Sequence, residues 1–104
     1  MPALLEVRTT FPDLDKAEEI ARTLVSERLV ACAQLVPGVT SIYRWEGMLR
    51  HDSEVLALFK TTSERWTELR DRLSELHPYD TPEILAVAVE NGCFKYVSWV
   101  RENV

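Results

Sequence analysis

Polar and apolar residues alternate at the start of the chain. Leu5, Val7 and Thr9 fall on one face, and Leu4, Glu6 and Arg8 on the other. This period of two predicts a strand over residues 3–10, which Pro12 ends. The period then lengthens. Ala17, Ile20, Ala21, Leu24 and Val25 recur at helical spacing, with Glu18, Glu19, Arg22 and Glu27 outside them. They predict an amphipathic helix over 14–28, capped by Asp13 or Asp15. From Leu29 to Thr61 the pattern is again that of strands. Val30–Val36 and Val39–Trp45 read as one long strand kinked at Pro37-Gly38. Glu46-Gly47 is the turn, and Met48 to about Lys60 the return strand. Trp66, Leu69, Leu73 and Leu76 mark a second helix over 63–76, started by Ser63 or by a Thr61–Glu64 capping box and ended by His77-Pro78. Residues 84–90 are apolar on both faces, which suits a short central strand. After Asn91-Gly92, Phe94, Val97 and Val100 lie on one face of a short final helix that closes the chain.

The order β-α-β-β-α-β plus a terminal helix is a ferredoxin-like α+β arrangement, a single domain over 1–104 with two helices on one face of a four-stranded antiparallel sheet. That fold hosts many activities and decides none. The hairpin is long beside the usual strand of about 5–6 residues, so its polar tip is expected to project past the core. Ile42, Tyr43 and Trp45 near its end either fold back on their own sheet or meet another chain. The second reading is favoured, because a projecting ribbon leaves its aromatic residues uncovered.

Composition narrows the partners. A net charge of −5 and a pI near 5.0 disfavour nucleic acid and anionic membranes. No apolar run approaches the ~20 residues of a membrane span, and Met1–Arg8 lacks the pattern of a signal peptide. Two cysteines, Cys32 and Cys93, make neither a disulfide framework nor a zinc motif. Free thiols without an export signal point to the cytoplasm.

Chemistry concentrates in His77-Pro78-Tyr79-Asp80-Thr81-Pro82-Glu83-Ile84. Two prolines stiffen this loop around an imidazole, a phenol and two carboxylates. It is either a rigid connector or a binding site. His77 either caps the helix end, where the dipole favours a cation, or acts as metal ligand or acid/base group. Tyr79, Asp80 and Glu83 can line one ligand cleft, or Asp80 shapes the turn and Glu83 starts the strand. Cys32 sits among small apolar residues, as a buried thiol or as a soft-metal ligand. Cys93 is incidental. With three separated glycines there is no phosphate-cradling loop, and no nucleophile elbow or zinc-protease helix occurs.

Three stretches resemble the CutA family of divalent-cation tolerance proteins: Val30-Ala31-Cys32-Ala33-Gln34-Leu35-Val36-Pro37-Gly38, Ile42-Tyr43-Arg44-Trp45-Glu46-Gly47, and His77 to Ile84. The spacing of Glu54 to Lys60-Thr61 and the late Tyr96-Val97-Ser98-Trp99 fit as well. The resemblance implies a homotrimer built through the long strands, similar in architecture to the PII signalling proteins. It also implies a link to copper and other divalent metals, and no catalytic activity. Cys32 and His77 match the family's cysteine and histidine. Where some copper-binding members carry a further cysteine and histidine, this chain has Thr9 and Leu76. The alternatives to a metal-tolerance protein are a PII-like regulatory trimer that binds a small molecule or protein, and an acid/base enzyme using His77, Tyr79, Asp80 and Glu83.

Overall fold

The structure, a computed structural model, describes residues 2–104. β1 (Leu4–Phe11) carries the alternation read from the sequence, with Val7, Thr9 and Phe11 fully buried. Asp13 caps α1 (Leu14–Ser26) by accepting a 2.8 Å bond from the Lys16 amide. That helix ends at Ser26, two residues before the expected 28, and Arg28, at φ 60°, then turns the chain. β2 (Cys32–Trp45) and β3 (Met48–Thr62) form the long hairpin. Its register shifts between Val36 and Val39, where Gly38 takes φ 78°. Glu46 and Gly47, at φ 50° and 77°, close the two-residue turn, whose left-handed backbone suits the twist of the strands. A 3-10 turn (Ser63–Arg65) leads into α2 (Trp66–Leu76). β4 (Leu85–Val89) and α3 (Phe94–Glu102) complete the chain.

The sheet order is β2-β3-β1-β4, all neighbours antiparallel. α1 and α2 cover one face, around Val7, Phe11, Val55, Ala57, Phe59, Leu69 and Leu73. α3 crosses the other face, where Val100 packs on Leu4 and Ala31. β1 pairs with β3 only as far as Phe11–Val55. The first seven residues of β3, Met48–Glu54, and their β2 partners therefore run on as a free ribbon of ~23 Å at the usual strand rise, and the molecule measures 44 × 25 × 23 Å.

Three sequence expectations need correction. β4 is an edge strand, not a central one, and its apolar Leu85 is 57% exposed; among the described residues no strand pairs with its outer side. The Thr61–Glu64 capping box does not form, because the buried Thr61 hydroxyl donates instead to the Leu29 carbonyl at 2.7 Å. Phe94 does not share the packed face of Val97 and Val100: it is 81% exposed, while those two side chains join Leu4 and Ala31 against the sheet.

Candidate functional site

The loop after α2 is fastened at its first residue. α2 ends where the His77 amide bonds the Leu73 carbonyl at 2.9 Å. The His77 side chain, 8% exposed, then turns inward and stacks on Phe11 with ring centroids 4.7 Å apart. Its Nδ1 accepts the Tyr79 amide at 3.1 Å, and its Nε2 meets the Thr9 hydroxyl at 2.9 Å. An accepting Nδ1 is unprotonated in the neutral ring, so Nε2 carries the proton and donates to Thr9. Burial pushes the His77 pKa below its ordinary value, against the smaller opposing pull of the Thr10 backbone and the Glu54 carboxylate. His77 therefore neither caps the helix through its side chain nor stands open to solvent.

Tyr79 leaves this anchor and donates its hydroxyl to Glu54 on β3 at 2.8 Å. Burial first, and then that bond, push its phenol well above the usual range. Glu54 stands where the free ribbon begins. Two residues further along the ribbon the Tyr43 hydroxyl donates to Asp52, a bond that raises the Tyr43 pKa. Asp80 and Glu83 are both exposed. The structure thus brings His77, Tyr79 and Glu54 into one hydrogen-bonded run and leaves Asp80 and Glu83 in solvent at its rim. Two surface concavities lie elsewhere. One, of about 510 Å³, is lined by Thr62, Arg65 and Arg101; the other, of about 520 Å³, by Val25, Ala33 and Leu35.

Cys32 belongs to the opposite side of the sheet. It pairs through Lys60 with Glu6, whose side chains alternate away from the face that Thr9 shares with Val7 and Phe11. Its sulfur lies 3.5 Å from the Tyr96 hydroxyl on α3. The thiol contact, then burial, lift that phenol to about 12. The sheet separates Cys32 from His77. Among the described residues no group of three or more His, Cys, Asp and Glu side chains is placed to hold a metal ion. The Cys–His set that the resemblance implies does not fit one metal centre within a protomer.

Sequence reasoning undervalued Thr9 and Glu54 as partners of the loop. The signal for Thr9 was present: a hydroxyl at an inward position between Val7 and Phe11 must find a buried partner. Glu54 carried no such signal, since its tie to Tyr79 spans 25 residues and depends on where β1 stops.

Comparison with known proteins agrees with this geometry. Residues 5–103 match the family described as CutA1 divalent ion tolerance protein. The divalent-cation tolerance protein CutA of Thermus thermophilus is 47% identical over 97 residues, 93% of this chain and 94% of that protein. The crystal structure of CutA from Xylella fastidiosa superposes with a TM-score of 0.94 at 40% identity, covering 97% of each chain. The structure of the protein described as the periplasmic divalent cation tolerance protein CutA of Archaeoglobus fulgidus gives 0.93 at 34% identity, over 96% of this chain and 97% of that one. With the sheet order, the long ribbon and the His77–Ile84 loop all in place, the chain belongs to the CutA1 divalent ion tolerance protein family.

Proposed function

We propose that this protein acts in divalent-metal tolerance as a homotrimer, and that it meets copper or other divalent ions weakly, at surface donors. The observation that supports assembly is the apolar ribbon. Ile42 is 66% and Leu49 74% exposed, and by register they share one ribbon face, while Tyr43, Trp45 and Met48 share the other. Both faces of the ribbon leave the body of the protomer, so only another chain can cover them. The unpaired outer edge of β4 adds a second surface that invites strand pairing. A closed ring of three copies hides both without open-ended growth.

Cys32 and His77 have the donor chemistry that suits Cu(I). One ion reaches both only if neighbouring copies supply them. The cytoplasm suits two free thiols, although the Archaeoglobus relative is described as periplasmic. Among the described residues no helix is long and apolar enough to cross a membrane.

The PII-like alternative has one observation in its favour. Tyr79 is held rigidly on Glu54 beside exposed Asp80 and Glu83, at the root of the ribbon, where a neighbouring copy would complete a cleft. An acid/base enzyme at the same loop has less support, because the imidazole is buried and both its nitrogens are engaged.

Titrating Cu(I) against a competing chelator tests the metal reading. Weak binding that survives both Cys32→Ser and His77→Ala is expected. Tight binding abolished by either change would show that copies do join the two residues at one ion.

A further inference from the structure

We infer that His77 is a neutral, tautomer-locked anchor and not a metal ligand, and that Thr9, His77, Tyr79 and Glu54 form a relay fastening the loop and the root of the ribbon to the domain. The inference concerns this chain's own side chains, so it stands or falls apart from the trimer.

The geometry leaves a metal no nitrogen. A neutral histidine that binds an ion through Nε2 carries its proton on Nδ1. Here that proton would face the Tyr79 amide hydrogen, which already points at Nδ1 from 3.1 Å. Binding through Nδ1 would displace the same amide and place the ion within the loop's own backbone. The Nε2 side is closed as well, because the Thr9 hydroxyl occupies it at 2.9 Å and Thr9 is fully buried. A thiol at that strand position would be a soft ligand; a hydroxyl is a poor one. The ring face is covered by Phe11, stacked within 16° of parallel. Tyr79 lies against the imidazole at 5.1 Å and carries the linkage outward to Glu54. Each member therefore orients the next. Thr9 and Phe11 fix the ring, the ring fixes the Tyr79 backbone, and the phenol fixes the strand where it leaves the sheet.

Nitrogen-15 NMR of the intact protein tests both halves. The long-range imidazole spectrum of His77 should show the Nε2–H tautomer at neutral pH. It should not move on adding one equivalent of zinc or of Cu(I), even if Cys32 responds. An Nδ1–H tautomer, or His77 signals that shift or broaden with stoichiometric metal, would overturn the assignment. Hydrogen exchange then tests the relay. His77→Asn keeps an acceptor near the Nδ1 position and should protect the Tyr79 amide better than His77→Ala, by roughly 2–10-fold, the scale of one hydrogen bond. Equal exchange in the two variants would remove the acceptor role. Tyr79→Phe should speed exchange at the Glu54 end of β3 while leaving β1 unchanged. No change there would cut the ribbon out of the relay. The wild-type spectra decide the metal question whether or not a variant folds.

Discussion

The smallest unit that carries an argument here is the Thr9–His77 pair. Both side chains are buried, and each supplies what the other lacks: a proton at Nε2 and an oxygen to receive it. Thr9→Val keeps the shape and removes the oxygen. It should cost about 1–3 kcal/mol, the penalty for leaving a buried polar group without its partner, measured by urea denaturation. The same pair fixes a pH dependence. The folded-state pKa of His77 lies below its value of about 6.5 in an unfolded chain. Between those values the unfolded chain binds the extra proton, so stability rises with pH. The contribution is complete above about 6.5 and fades as pH falls from there through the folded pKa. Melting temperature should therefore drop more steeply below pH 6.5 in wild type than in His77→Gln. Parallel curves would show that His77 titrates alike in both states. The chemistry of this pair was only half visible in the sequence. The inward hydroxyl was legible from alternation, but His77 gave no sign of turning into the core, because it stands at a helix end where solvent exposure is the ordinary outcome.

Elements were more legible than contacts. The strand and helix periods placed every element, since each depends on neighbours within a few residues. Errors arose where a distant partner decided. Thr61 was free to cap a helix until the Leu29 carbonyl came within 2.7 Å. β4 read as central because apolar residues on both faces ordinarily mean burial on both sides; here they sit on an edge. Arg28 shows the same competition. Its left-handed backbone favours glycine, yet its guanidinium donates to the Glu102 carbonyl at 2.9 Å and so ties the end of α1 to the end of α3. The hairpin turn offers a cleaner test of backbone alone. Gly47 has φ 77° and nothing within 4 Å of where a Cβ would stand. Gly47→Ala should therefore cost about 1–2 kcal/mol from backbone strain alone, read as a lowered denaturation midpoint with an unchanged slope. A neutral outcome would mean that the turn relaxes freely at the ribbon tip.

At the scale of the whole molecule, the protomer covers one face of its sheet with two helices and leaves a ribbon with apolar side chains on both sides. Such a surface is large for a chain of 104 residues. It was foreseeable from hairpin length and from the aromatic residues near its end, whereas the unpaired edge of β4 became visible only with the sheet order. The proposed trimer uses both. Trp45, 44% exposed in the protomer, is the side chain whose loss should tell most. Trp45→Ala should weaken association by roughly 2–4 kcal/mol, as for a central aromatic of an interface, and shift the wild-type mass towards the monomer on dilution. The most direct measurement is the mass of the wild-type protein in solution by light scattering across micromolar concentrations. Three copies of the 12.0 kDa chain give about 36 kDa, held on dilution. A stable 12.0 kDa species at the same concentrations would contradict the account, because the ribbon would then have to stand bare in water.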